Sequence, residues 1–197
     1  RFLGVGAEVL LDKILTRNIL SLRDGRARYG FLCNENGGII DDVVVSRMSS
    51  DEFMLVCNAG NRHNVIKWIE QQMQDIRDVE ITDLTNRTGM IAIQGPTAVD
   101  LIIEALSIDL TDLRKFRVQE YSYADTVITF SRTGYTGEDG FEVICEAVDA
   151  SRLWGDLVDQ GAVPAGLGSR DNLRLEAALP LHGSDIDEST NPIEAGL

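Results

Sequence analysis

Apolar residues recur at positions 7, 10, 11, 14 and 15 of the chain, and this stripe predicts a helix over Gly6–Leu15. The pattern then turns β-branched and aromatic. Ala27–Leu32 and Ile39–Val45 are predicted strands, joined as a hairpin by Cys33-Asn-Glu-Asn-Gly-Gly38. Glu52–Cys57 is a third strand and Asn58–Gly60 a turn. His63–Gln74 is a helix with Val65, Ile66, Trp68 and Ile69 as its apolar positions, and Val79–Asp83 is a short strand. Strands followed by a helix and a last strand predict a small α+β domain over residues 1–84.

A second unit is expected over residues 85–197. Met90–Gln94 is a strand, and Gly95-Pro96 opens a helix that runs to about Leu106. Asp125–Phe130 and Phe141–Cys145 are strands around a polar, glycine-rich connection. Asp149–Gln160 is a helix carrying Leu153, Trp154 and Leu157, with Asp149 as its N-cap. Asn172–Ala178 is a short helix, and past Leu179 the chain becomes rich in Gly, Asp and Pro. The fold class expected is α+β, with mixed or antiparallel sheets and helices in both units.

Charge removes some functions from consideration. The 197 residues carry a formal net charge of −14, against the clustered Lys and Arg that a nucleic-acid surface needs. Solubility, for instance in a salty habitat, accounts for such a charge. No apolar run has the length of a membrane span. Cys33, Cys57 and Cys145 are isolated and read as small core hydrophobes of a reducing compartment; with His63 and His182 as the only histidines, a metal site is not expected. The chain begins at Arg1, which predicts a processed or truncated N-terminus.

Four segments carry candidate chemistry. In Gly37-Gly38-Ile39-Ile40-Asp41-Asp42-Val43-Val44-Val45, two aspartates interrupt an apolar strand. Period two puts Asp42 with Ile40 and Val44, and Asp41 with Ile39, Val43 and Val45. A carboxylate there is paired, protonated or used; an aspartate pair that bonds the hairpin turn is the alternative. Asn58, at a strand end, either caps a turn or orients a neighbouring carboxylate. Arg132-Thr-Gly-Tyr-Thr-Gly-Glu-Asp-Gly-Phe-Glu142 is more elaborate than a plain hairpin requires. Glu142 at its exit is either a surface acid or an acceptor for paired N–H donors, such as the amino-pyrimidine edge of a pterin. Gly166-Leu-Gly-Ser-Arg-Asp-Asn-Leu-Arg174 lacks the third glycine of a dinucleotide loop and does not match a P-loop, so nucleotide binding is not expected. Arg170 and Arg174 there hold either an anionic group or the chain's own acids.

Taken together, these segments resemble one family. R-T-G-Y-T-G-E-D-G-F-E at 132–142, N-E-N-G-G-I-I-D-D-V-V-V at 34–45, V-C-N-A-G at 56–60, R-D-N-L-R-L-E-A-A-L-P-L-H at 170–182 and the closing N-P-I-E-A-G-L are similar to the ordered motifs of the T proteins of the glycine cleavage system, which are aminomethyltransferases. The resemblance implies a folate-binding fold, residues 1–84 as its small middle domain, and 85–197 as the second part of a discontinuous domain. It also implies that an N-terminal segment and a C-terminal barrel are missing, which would leave apolar surface exposed. The implied reaction moves a one-carbon unit from the aminomethylated lipoyl arm of the H protein to tetrahydrofolate and releases ammonia. Tetrahydrofolate enters as the acceptor substrate, without metal, nucleotide, nucleic acid or membrane. By the same resemblance Asp42 is the catalytic aspartate, and Tyr29, Val44, Asn58, Tyr135, Glu142 and Arg170 are folate-site residues. A cytoplasmic location is implied for a bacterial source and the mitochondrial matrix for a eukaryotic one. The alternatives are the folate domain of a dimethylglycine or sarcosine oxidising enzyme, a folate-dependent demethylase, or a non-catalytic folate-binding assembly factor.

Overall fold

The first hairpin is built around one asparagine. Asn34 Oδ1 accepts from the backbone N–H of Asn36 (3.0 Å) and Gly38 (2.9 Å), while Gly37 takes a positive φ of 85°. The strands it joins belong to the first of two units in the computed structural model, which describes residues 1–197. This unit runs through β1 (Phe2–Leu3), α1 (Gly6–Ile14), β2 (Arg26–Cys33), β3 (Ile39–Ser49), β4 (Glu52–Val56), α2 (Arg62–Gln72) and β5 (Glu80–Ile81). All its strand pairs are antiparallel, in the order β2-β3-β4-β1-β5. The apolar stripe of α1 (Ala7, Leu10, Leu11 and Ile14) packs with Val43, Val45 and Phe53 from the sheet and with Val65 and Ile69 from α2.

Two expectations fail in this unit. Strict alternation breaks where β3 begins, because the register with β2 shifts between Leu32 and Cys33: Leu32 pairs Asp41, but Cys33 pairs Ile39. The extra residue of this bulge reverses the two isoleucines. Ile40 joins the core of Val43 and Val45, whereas Ile39 packs with Phe31 and Ile186. The second failure concerns the last residues, expected to belong to the 85–197 unit. Residues Pro180–Leu197 pack with Arg1–Thr82, and the other unit is Asp83–Leu179. The tail is bound to the start of β3: the Ile39 N–H lies 3.1 Å from the carbonyls of both Asp187 and Thr190. A Cβ on Gly38 would fall 1.9 Å from the Glu188 carbonyl, so glycine is required for this approach.

The second unit contains β6 (Thr88–Gln94), α3 (Ala98–Leu106), β7 (Val118–Tyr123), β8 (Thr126–Ser131), β9 (Gly140–Glu146), α4 (Ala150–Asp159) and α5 (Leu167–Glu176). Its antiparallel sheet has the order β6-β9-β8-β7. Ile128, Phe130, Phe141 and Val143 are fully buried with Ile102, Leu110 and Leu153, and Phe130 meets Tyr121 and Phe141 edge-on. The sequence did not predict β7, whose Gln119, Glu120 and Ser122 are exposed and give no apolar alternation. The last helix begins at Leu167, ahead of the expected Asn172, because its face is nearly all exposed and offers no stripe to mark its start. Asp149 precedes α4 but makes no side-chain cap; it closes a 3-10 turn over Ala147–Asp149. No helix is long and apolar enough to cross a membrane.

Candidate functional site

Within the first unit, the antiparallel register sets Tyr29 opposite Val44, and Val44 opposite Val56. The chain leaving β4 then brings Asn58 back against Asp41 and Asp42. Asn58 is the centre of the cluster. Its Nδ2 donates to Asp41 Oδ1 (2.8 Å) and Asp42 Oδ1 (2.7 Å), and its backbone N–H donates to Asp41 Oδ2 (3.1 Å). Tyr29 Oη donates to Asp42 Oδ2 at 3.1 Å. Asn61 Nδ2, one turn on, donates to the Ile40 carbonyl at the bulge (2.5 Å). Tyr29, Asp42 and Asn58 are thus gathered around one carboxylate, with Val44 beside them on β3.

The two aspartates differ in access. Asp41 is 0% exposed, while Asp42 is partly exposed. Burial pushes the Asp41 carboxyl above the usual carboxylate range, and its bonds from Asn58 pull it back. No cation is bonded to either group. Asp42 uses one acceptor site on each oxygen and has lone pairs left for a donor from outside. His182 from the tail stands over the buried member, its Nδ1 3.9 Å from Asp41 Oδ1, while its Nε2 is buried without a hydrogen-bond partner.

Within the second unit, the Arg132–Glu142 connection is closed at its base. The Arg132 guanidinium binds both oxygens of Asp139, donates to the Leu113 carbonyl at 2.6 Å and lies over the Phe141 ring. This bidentate partner holds the Asp139 carboxyl below its usual range and raises the guanidinium. Gln94 organises the interior of the loop, its Nε2 donating to the Thr133 (3.2 Å) and Phe141 (3.0 Å) carbonyls. A Cβ on Gly134 would lie 1.9 Å from Gln94 Oε1, which explains the first glycine of the motif.

Glu142 is partly exposed at the exit of the loop, paired on β9 with Ala92 and Ser131. Thr133 Oγ1 donates to Glu142 Oε2 at 2.5 Å and lies 2.9 Å from Ser131 Oγ. A hydroxyl has one proton to donate, so Thr133 accepts from Ser131 while it orients the glutamate. The Arg170 guanidinium stacks over the Tyr135 ring at 4.6 Å. Arg174 is buried and donates to Asp171 Oδ1 at 2.8 Å.

Sequence reasoning missed Gln94, Thr133 and His182. A glutamine at a strand end and a threonine among other loop residues carry no distinguishing signal. An isolated histidine in a run rich in Gly, Asp and Pro carries none either.

The model of the GCVT N-terminal domain family matches residues 1–197. The chain belongs to this family. It is similar to the aminomethyltransferase of Staphylococcus haemolyticus, at 40% identity over 98% of this chain and 53% of that protein. The aminomethyltransferase of Halalkalibacterium halodurans is 42% identical, over 98% of this chain and 54% of its own length. The crystal structure of glycine cleavage system aminomethyltransferase T from Bartonella henselae superposes with a TM-score of 0.89 at 34% identity, covering 98% of this chain and 52% of that one. The fold is the α+β fold of that structure. The chain spans about half the length of the curated relatives it matches.

Proposed function

We propose that this chain carries the carboxylate centre of a tetrahydrofolate-dependent aminomethyltransferase of the glycine cleavage system. The one-carbon unit arrives as an aminomethyl group on a sulfur of the lipoylated H protein. Ammonia leaves, the C–S bond breaks, and the carbon ends between two folate nitrogens as 5,10-methylenetetrahydrofolate. The observation that carries this reading is the accessible Asp42 carboxylate, held by Tyr29 and Asn58 with acceptor capacity to spare, in a chain 40% identical to proteins called aminomethyltransferases.

A folate nitrogen that attacks the iminium-like carbon becomes positively charged as the new bond forms. A carboxylate fixed beforehand stabilises that charge without reorganising. Asp42 takes this part; Asn58 and Tyr29 fix its orientation, and Val44 and the Tyr29 ring give the ligand an apolar contact. Within the second unit, Glu142, aimed by Thr133, is suited to accept paired N–H donors such as those of an amino-pyrimidine edge, and Arg170, flattened on Tyr135, to present a guanidinium to an anion.

The test is formation of 5,10-methylenetetrahydrofolate from aminomethylated H protein, by the chain and by the chain extended to the length of its relatives. Asp42→Ala is expected to lower kcat by roughly 100-fold or more. Normal turnover by the variant would remove Asp42 from the reaction.

A further inference from the structure

The buried aspartate beside the proposed catalytic one has a neighbour with no assigned role. His182 lies on the tail segment that Ile186 anchors against Phe31 and Ile39, and that the Ile39 N–H ties down through the carbonyls of Asp187 and Thr190. This anchoring holds its Nδ1 3.9 Å from Asp41 Oδ1, with 14% of the side chain exposed. Its Nε2 is buried with no donor or acceptor opposite it. A neutral imidazole has one N–H and one bare nitrogen. With a carboxylate on the Nδ1 side and nothing on the Nε2 side, the tautomer with its proton on Nδ1 is the one these surroundings favour.

We propose that His182 is a positioning residue for Asp42, acting through Asp41 and Asn58. The Nδ1–H dipole favours Asp41 as an acceptor-only carboxylate. In that form both Asp41 oxygens are full acceptors for Asn58, one for the backbone N–H and one for Nδ2. A proton on Asp41 would turn one oxygen into a donor and compete for that geometry. The same Asn58 amide donates to Asp42 Oδ1, so fixing it on Asp41 fixes it on Asp42. The ionisable groups around this chain of contacts are Asp41 and Asp42 on β3, Tyr29 on β2 and Asp187 on the tail. The Asp187 carboxylate is itself taken up by the Ser189 N–H and hydroxyl.

The catalytic part of this inference rests on the proposed function, but its test needs neither folate nor turnover. Carboxyl carbon resonances of Asp41 and Asp42 are followed against pH in the intact chain, alongside the imidazole nitrogens of His182. The midpoint read is that of the buried Asp41 carboxyl. In His182→Phe the Asp41 midpoint is expected to rise by about 1 pH unit. His182→Gln, which offers an amide N–H in place of the imidazole, is expected to bring it back to within about half a unit of the native value. A folded His182→Phe chain with native midpoints overturns the proposal. Should that variant not fold, the unmodified chain still decides: an imidazole protonated on Nε2 rather than Nδ1 overturns it equally. Failure of Asp42→Ala to slow aminomethyl transfer would remove the proposed function and leave these titrations standing.

Discussion

Asp41-Asp42 and Asp139 both lie beside glycine-rich hairpin connections, yet their surroundings differ in kind. Asp139 is clamped on both oxygens by Arg132, a cation that also holds the Leu113 carbonyl. Asp41 and Asp42 share one neutral amide from Asn58, and a phenol is the second donor to Asp42. A carboxylate matched to a guanidinium is spent on structure, because its charge is already answered. A carboxylate held by neutral donors keeps its negative charge available to a cationic centre that develops next to it. The two regions therefore divide the work: one shapes a loop, the other presents charge.

The largest expected change in stability comes from the clamp. Arg132→Ala removes a bidentate ion pair, a carbonyl contact and a ring contact, and is expected to cost about 2–4 kcal/mol in chemical denaturation at neutral pH. Asn58→Ala leaves buried Asp41 with only a backbone donor and should cost about 1–3 kcal/mol.

The pH dependence of these two losses sharpens the contrast. Asp41 has a folded pKa raised by burial, so its contribution is fully present below the unfolded value near 3.9 and is lost as pH rises through the folded one. Asn58 favours the ionised form, so the cost of Asn58→Ala is expected above that window and should close as pH falls toward about 4. Asp139 is depressed by Arg132, so its stabilisation is present above about 3.9 and is lost only as pH falls through the folded value. Denaturation across pH should therefore show the Asn58→Ala gap closing first. The Arg132→Ala gap should narrow at lower pH, down to the part owed to Leu113 and Phe141. The reverse order would contradict the assignment of roles.

The smallest effect is expected at Thr133→Val, which keeps the shape but removes the donor to Glu142. A loss of about 1 kcal/mol is expected, measured as a lower denaturation midpoint.

The strands of the Asp-Asp hairpin, the turn at Asn58 and the long connection before Glu142 were legible because each breaks the apolar pattern with residues that a plain strand does not tolerate. What stayed hidden depends on contacts distant in sequence. The bulge that exchanges Ile39 and Ile40 follows from the pairing of β3 with β2, not from either strand alone. The tail carrying His182 reads as a polar, glycine-rich run, and its attachment to β3 is made by main-chain carbonyls, which sequence does not label. Gln94 and Thr133 act through one or two hydrogen bonds each, and residue type alone does not distinguish them from surface polar groups. The motif resemblance reached Asp42 and Asn58; the geometry shows that the Asn58 amide joins Asp42 to the buried Asp41.

The central claim is that the charge of Asp42, rather than its shape, serves the reaction. Asp42→Asn keeps the size and the acceptor oxygen but removes the charge. Its rate of 5,10-methylenetetrahydrofolate formation from aminomethylated H protein should fall by roughly 100-fold or more, with tetrahydrofolate affinity changed less than about tenfold. A turnover within about twofold of the unsubstituted protein, in a variant that folds and binds folate, would contradict the account.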